Sequence, residues 1–152
     1  MSDTGRIALQ IITPEREFPE VRAAYVLLPA EEGYIGILPR HAPLMTSLQA
    51  GVLSYRTEDQ TENDDTDQDK QFFAISGGFA EVKDSRVLVL ADTAEPADEI
   101  IVERARQAME RAEQRLDESD TDIDAARARG ALRRALARLR AVDAQQGGTQ
   151  EI

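Results

Sequence analysis

Residues 87–116, VLVLADTAEPADEIIVERARQAMERAEQRL, contain the transition that decides the fold of the chain. The segment begins with aliphatic residues that are typical of a short strand. Pro96 suits the first turn of a helix, and Asp98 and Glu99 after it favour a helix N-terminus. Apolar residues then recur at intervals of three and four, which is the period of a helix with one buried face. The stretch therefore predicts a β-rich half followed by a helical half.

The chain before this stretch contains many short segments of β-branched, aromatic and aliphatic residues. Turn residues separate these segments at Pro29, Gly33, Gly51, Gly77–Gly78 and Asp84–Ser85. Many short strands at this spacing predict a small sandwich or barrel. The predicted strands are IALQIIT (7–13), VRAAYVLL (21–28), YIGIL (34–38), GVLSYR (51–56), QFFAI (71–75), FAEV (79–82) and RVLVLA (86–91).

The chain after Pro96 predicts two helices. Thr121, with Asp124 three residues later, resembles a capping box and marks the start of the second helix. The short connection predicts an antiparallel hairpin, and the polar end of the chain should fray. The apolar face of the first helix consists of Ile101, Ala105, Ala108, Met109, Ala112 and Leu116. The facing seam of the second consists of Ala128, Leu132, Ala135, Leu139 and Val142.

The second helix also carries arginines in a stretch without acidic residues. At about 100° per residue they form two stripes, with the apolar seam between them. One reading is that they bind an acidic partner, and the other is that they stay in solvent and pair with Glu110, Glu113 and Asp117. Both readings can hold in different conformations. The stripes are Arg127, Arg134 and Arg138, and Arg129, Arg133 and Arg140.

The composition excludes several classes of function. The 152 residues carry a net charge of −11, and phosphate repels so acidic a protein, so we expect no nucleic-acid partner. The chain contains no cysteine, which excludes disulfides and thiolate metal sites. Neither a secretory signal nor an apolar run of about 20 residues is present, so we expect no direct membrane span.

Residues 57–70, which hold seven acids and no apolar side chain, predict a solvated extension of a hairpin. The run DDTDQD within them resembles alternating oxygen ligands. It lacks the central glycine and the terminal glutamate of a calcium loop, so we expect no metal site.

No group of residues indicates catalysis. His41 is the single histidine, and the chain has no nucleophile elbow and no phosphate-binding loop. The sequence SGGF at 76–79 is too short for such a loop, and no helix follows it. We therefore expect no catalytic residues and no resident cofactor.

Several separate stretches resemble the epsilon subunit of bacterial F-type ATP synthase. They are EEGYIGILPRHAPLMTSLQAGVL, AISGGFAEV, VLVLADTAE and the helical VERARQAMERAEQRL with ALRRALARLR, in the family's order from Arg6 to Val142. The resemblance implies an α+β fold with an N-terminal antiparallel β-sandwich over 1–94, which includes the acidic insertion 57–70. It also implies a C-terminal antiparallel two-helix hairpin over 95–143 and a flexible tail over 144–152.

The resemblance implies a non-catalytic rotor subunit of the central stalk, which couples ion-driven rotation to ATP synthesis. The implied partners are the gamma subunit, the c-ring and, through the helices, the alpha/beta head. In the family the hairpin folds against the sandwich or extends along gamma, where it inhibits ATP hydrolysis. The implied location is the cytoplasmic face of the bacterial inner membrane, as a peripheral part of F1. The alternative function is a free-standing adaptor that binds through the arginine-rich hairpin.

The resemblance also implies two sets of binding residues. The loop that faces the c-ring corresponds to Glu32, Gly33, Gly36, His41, Ala42 and Pro43. Here Arg40 replaces a usual glycine, which predicts that the backbone no longer needs a positive φ, and Tyr34 stands where an acid is common. The family's regulatory ATP site corresponds to Glu95, Ile100, Arg104, Ala105, Arg134 and Arg138. Ile101 replaces the aspartate of that motif and suits the helical seam instead, so we expect ATP to be at most a weak ligand.

Overall fold

The computed structural model describes residues 5–57 and 70–147. Within these ranges the N-terminal part forms strands β1 (Ile7–Ile12), β2 (Val21–Ala30), β3 (Gly33–Ile37), β4 (Leu44–Thr57), β5 (Lys70–Lys83), β6 (Arg86–Ala91) and β7 (Ala94–Pro96). A 3₁₀ helix (Ala97–Glu99) leads into α1 (Val102–Asp117) and α2 (Asp122–Gln145). The acidic insertion lies outside the described residues, apart from its two ends.

Five strands close into a barrel, because β1 pairs with both β2 and β6 while β6, β5, β4 and β2 follow one another. β3 extends the sheet beyond β2, and β7 pairs with β5. The predicted sandwich and α+β class are confirmed. The prediction of purely antiparallel pairing is wrong at one place, since β1 runs parallel to β6. A closed ring with an odd number of strands cannot alternate direction throughout, so one parallel pair is unavoidable.

Large apolar side chains from all sides of the barrel fill its interior. β1 alternates buried and half-buried positions, as a strand with one face on a core should. The centre of the core consists of Ile7, Leu9, Val26, Leu28, Ile37, Leu53, Ile75, Val82, Val87 and Val89, all nearly inaccessible to solvent. Burial of such side chains is the main source of the sandwich's stability.

Three of the predicted turns lie inside strands. Pro29 is in β2, Gly51 is in β4, and Gly77–Gly78 is in β5. Gly78 has a φ of 128°, and a Cβ there would clash with the backbone of Leu90 on the neighbouring strand. The glycine therefore permits close backbone approach rather than chain reversal. The Asp84–Ser85 turn is confirmed: both residues have positive φ, as in a type I′ hairpin.

The helical hairpin forms as predicted, but its first helix begins later than the sequence indicates. Pro96 belongs to β7 and pairs with Phe73 of β5, and α1 begins at Val102, after the 3₁₀ turn. The proline's fixed φ suits the end of this strand as well as a helix start, so it does not decide between them. Thr121 caps α2 as predicted, because its Oγ1 accepts a hydrogen bond from the Asp124 N–H at 3.1 Å. α2 continues to Gln145, two residues into the predicted tail.

α2 lies between α1 and the sheet, and small side chains form both contacts. On the first helix Ala105 and Ala112 are buried. Ile101, which the sequence placed in the seam, is 53% exposed, while its neighbour Ile100 is buried. On the second helix the buried residues are Ala128, Ala135, Ala137, Ala141 and Ala144. The last three pack with Val52, Phe72 and Ala74 of the sheet.

Candidate binding surfaces

The β3–β4 loop is held by two hydrogen bonds and contains one residue with positive φ. Arg40 has a φ of 63°, so the prediction that this position no longer needs a positive φ is wrong. A non-glycine residue in the left-handed region costs about 1 kcal/mol. The Arg40 N–H donates to Ser85 Oγ at 2.9 Å, and the His41 N–H donates to the Leu38 carbonyl at 3.1 Å. The first bond holds the strained loop against the β5–β6 turn, and the second closes the loop on itself.

The six residues assigned to the c-ring surface lie on two segments that border the start of β4. His41, Ala42 and Pro43 precede Leu44 directly, and they are half-buried or exposed. The turn at Glu31–Glu32, which Gly33 follows, contacts β4 three residues after Leu44. There the Glu31 N–H donates to the Ser47 carbonyl at 3.0 Å. Three residues of a strand span about 10 Å, so the two segments form one neighbourhood.

Gly36 and Tyr34 have structural roles within this neighbourhood. A Cβ on Gly36 would lie 2.6 Å from the Tyr25 hydroxyl, so the glycine makes room for that ring. Tyr34 accepts a hydrogen bond from the Val52 N–H at 3.2 Å and covers Gly51. The tyrosine therefore braces β3 against β4, where an acid would present a charge to solvent.

An apolar patch on the outer face of β4, β5 and β6 was not identified from the sequence. Met45, Phe79 and Leu90 are 71%, 59% and 49% exposed. Phe79 is directly opposite Leu90, and Met45 is diagonal to it, opposite Glu81. The alternation of side chains along β5 indicates this outer face, because Phe79 and Glu81 are exposed while Ala80 and Val82 are buried.

Five of the six residues assigned to nucleotide line one cleft between the hairpin and the sandwich. The cleft has a volume of about 330 Å³. Arg138 donates from Nε to Glu95 Oε1 at 2.8 Å across its floor. Arg134 lies apart, in a small adjoining recess that Glu95 and Arg138 also line. The residues of the cleft are Glu95, Glu99, Ile100, Ile101, Arg104, Ala105, Ala108, Arg111 and Arg138.

Arg111 is the functional candidate that the sequence analysis missed. It lies two helical turns after Arg104, on the same face of α1, and this spacing was visible in the sequence. In the described ranges, neither arginine forms an ion pair, and Arg134 does not pair with Glu110 or Glu113. Three guanidinium groups thus border the cleft together with two carboxylates, of which Glu95 is bound to Arg138 and Glu99 to Arg16.

The described residues contain neither a membrane-spanning helix nor a cluster of metal-ligating side chains. None of the helices in the ranges 5–57 and 70–147 is both long and apolar enough to cross a membrane. In the same ranges, no group of three or more histidine, cysteine or acidic side chains is arranged to hold a metal ion.

Comparison with known proteins identifies the family. A model described as ATP synthase, delta/epsilon chain, beta-sandwich domain matches residues 6–97, and one described as the long alpha-helix domain of that chain matches residues 98–143. The chain belongs to the ATP synthase epsilon-chain family. As an epsilon chain it is a non-catalytic subunit of the central stalk, in the F1 sector of an F-type ATP synthase. Family membership sets aside the alternative of a free-standing adaptor.

Individual relatives agree with this assignment over nearly the whole chain. The ATP synthase epsilon chain of Moorella thermoacetica is 52% identical over 136 residues, covering 90% of this chain and 96% of its own. That of Desulforamulus reducens is 46% identical over 145 residues, covering 94% and 100%. Among solved structures, a chain of the Euglena gracilis mitochondrial ATP synthase matches with a TM-score of 0.71 and 25% identity. That match covers 85% of this chain and 76% of the other.

Proposed function

We propose that the sandwich attaches the chain to the gamma subunit and the c-ring, and that the hairpin restrains ATP hydrolysis when it leaves the sandwich. The complex would lie at the cytoplasmic face of the bacterial inner membrane. The observation that carries the proposal is the contrast between a barrel with exposed binding surfaces and a hairpin attached through alanines.

The apolar patch of Met45, Phe79 and Leu90 supports attachment to gamma. Three large apolar side chains on one sheet face are costly to leave in water, and such patches mark protein interfaces. The patch lies near the segment of His41, Ala42 and Pro43, since Met45 follows that segment by two residues. Neighbouring surfaces could thus contact gamma and the c-ring together.

The alanine contacts of α2 support a hairpin that leaves the sandwich. Ala137, Ala141 and Ala144 bury little apolar area each, so their separation from the sheet costs less than separation of larger side chains. The ion pair between Arg138 and Glu95 is partly exposed and adds modestly to docking. In the extended state the arginines of α2 would be free to meet an acidic surface of the head.

A truncation after Ile100 tests the division of roles. It keeps β7 and the turn that follows β7, both of which pack on the sandwich. The truncated chain should bind gamma as the full chain does, while inhibition of ATP hydrolysis in the reconstituted complex is lost. Loss of gamma binding after this truncation would contradict the proposal.

A full-length Phe79→Glu variant gives the reciprocal test. The side chain is exposed, so the fold should remain, but a buried charge at the interface should weaken gamma binding strongly. Glu81→Gln, on the same face two residues away, is the matched control and should bind gamma normally. Unchanged binding by the Phe79→Glu variant would show that gamma uses another surface.

We also propose a weak regulatory site for ATP in the cleft of Arg104, Arg111 and Arg138. Forked guanidinium groups from two helices are suited to phosphate. The volume of about 330 Å³ is near the lower end of the roughly 300–1,000 Å³ that small-molecule sites occupy. Ile101 lies at this cleft with an exposed, apolar side chain, so it supplies no acceptor.

Titration calorimetry of ATP with the full chain tests this site. Ile101→Asp should tighten binding by about tenfold to a hundredfold, because it restores one hydrogen bond worth roughly 1–3 kcal/mol. Ile123→Asp, at another exposed isoleucine, makes the same change of charge outside the cleft and should have no effect. Submicromolar affinity in the unaltered chain, or equal gains in both variants, would contradict the interpretation of Ile101.

A further inference from the structure

The connection between the sandwich and the hairpin is the single 3₁₀ turn Ala97–Glu99. Ala97 is buried in the cluster that also contains Val52, Phe72 and Ala137, so the turn contacts both bodies. Its position alone does not decide whether it moves with the hairpin or stays with the sandwich.

Arg16, in the β1–β2 loop, binds this turn through both of its terminal nitrogens. Nη1 lies 2.7 Å from Glu99 Oε2, and Nη2 lies 3.2 Å from Glu99 Oε1. The guanidinium carbon lies 4.2 Å from the centre of the Phe18 ring, which is buried and meets Phe73 edge-on at 5.2 Å. The loop is closed by a hydrogen bond of 2.9 Å from the Arg16 N–H to Thr13 Oγ1. Contacts within the sandwich therefore help to hold the guanidinium at the position where it binds Glu99.

The geometry of this pair matters more than its energy. An exposed ion pair contributes little to the free energy of unfolding. A two-pronged contact nevertheless fixes the orientation of the carboxylate, and stacking on Phe18 limits the freedom of the arginine. Glu99 is thus attached to the sandwich in one orientation.

The second ion pair of this region, between Arg138 and Glu95, has a different relation to the hairpin. Glu95 belongs to β7 and Arg138 to α2, so this pair must break when α2 leaves the sheet. Both members of the Arg16–Glu99 pair precede α1, so this pair can persist. The Arg138–Glu95 pair therefore belongs to the docked state alone, whereas the Arg16–Glu99 pair belongs to both states.

The backbone leaves the 3₁₀ turn in an extended conformation immediately after Glu99, where the Ile100 side chain is buried and that of Ile101 is exposed. Ile100 and Ile101 have extended backbone, with φ of −78° and −88°. Ile101 precedes α1 and makes no side-chain capping bond to it. Rotation at these two residues would redirect the hairpin without breaking a helix cap.

We propose that Arg16 is a positioning residue that keeps the turn Ala97–Glu99 on the sandwich and places the pivot of the hairpin at Ile100–Ile101. This inference rests on the proposed movement of the hairpin. It adds that Arg16, 83 residues before Glu99 in the chain, provides a fixed attachment. This attachment determines where the movement of the hairpin begins.

Distance measurements on the full chain test the attachment without reference to inhibition. The chain has no cysteine, so paired spin labels at D98C and K83C report only the turn and the sandwich. This distance should be narrowly distributed, should broaden in R16Q, and should recover partly in R16K, which keeps one charged hydrogen bond. E95Q is the matched control and should leave it narrow. An unchanged distribution in R16Q would overturn the proposal.

Cross-linking in the reconstituted complex tests the pivot. In one double variant, a short bis-maleimide joins the cysteines of R16C and E99C. In a second double variant, it joins those of E95C and R138C. The first link should leave inhibition of ATP hydrolysis intact, and the second should abolish it. Loss of inhibition with the first link would overturn the pivot. If the second link leaves inhibition intact, the proposed role of the hairpin fails, and the spin-label result still decides the attachment.

Discussion

The sandwich and the hairpin are built with side chains of different size. The interior of the barrel is filled by isoleucine, leucine and valine, which are almost fully buried. Both contacts of α2 are made mainly by alanine, with Leu139 and Val142 only partly buried. Large side chains produce one stable packing. A row of alanines instead lets two elements approach closely, and little free energy is needed to separate them. The difference fits the proposal that the sandwich is a fixed attachment and the hairpin a movable arm.

The largest effect is expected from a cavity in the barrel. Leu53, fully buried in β4, packs in the barrel core, so Leu53→Ala should lower the free energy of unfolding by about 2–5 kcal/mol. Urea denaturation of the full chain, followed by circular dichroism, measures it. Leu90→Ala, at a half-exposed position of the same sheet, should change the value by no more than about 0.5 kcal/mol. Equal losses would mean that the barrel core is not the stable part.

A smaller effect, confined to the hairpin, should follow from overpacking at Ala141. This residue is fully buried against the sheet, and Ala141→Leu should destabilise docking by about 1–3 kcal/mol. Hydrogen exchange should accelerate in α1 and α2 while β5 and β6 stay protected. Ala126→Leu, on the exposed face of α2, should leave exchange unchanged. Faster exchange throughout the barrel would show that the two regions unfold as one.

The periodic patterns predicted the elements because each depends on neighbouring residues. The cap at Thr121 needs only Asp124, three residues away, and the helical seam needs only a repeat. Gly51 and Gly77–Gly78 misled the prediction because glycine serves turns and close strand contacts alike. Only the register of β4 on β5, which joins distant residues, distinguishes the two uses.

The binding surfaces were predicted less completely because they depend on contacts between distant residues. The positive φ of Arg40 is supported by Ser85, 45 residues later. The cleft was anticipated from a motif, yet the pairing of Arg138 with Glu95 depends on how α2 lies on β7. The patch of Met45 and Phe79 requires knowing which face of the sheet is outward.

A local effect is expected at the start of α2. Thr121→Ala removes the acceptor for the Asp124 N–H and should cost about 1 kcal/mol. Because the capped turn lies at the far end of the hairpin from the sheet contact at Ala141 and Ala144, the loss should stay local. Hydrogen exchange should accelerate in the first turn of α2, and Thr121→Ser should restore it. Faster exchange at Ala141 would mean that the hairpin responds as a single unit.

The smallest effect concerns pH and the attachment of the turn Ala97–Glu99 to the sandwich. The hydrogen bond from Arg16 holds the pKa of Glu99 below its ordinary value, and the same bond raises the pKa of Arg16. A lowered carboxyl pKa stabilises the folded state above the unfolded pKa of about 4.3, and that contribution is lost as pH falls through the lowered value. The attachment should therefore persist at neutral pH and open only in acid below about pH 4.3.

The spin-label distance between D98C and K83C, measured as pH is lowered, should broaden in that window in the chain with Arg16. In R16Q it should be broad at every pH. Broadening near neutral pH would show that a group other than Glu99 controls the attachment.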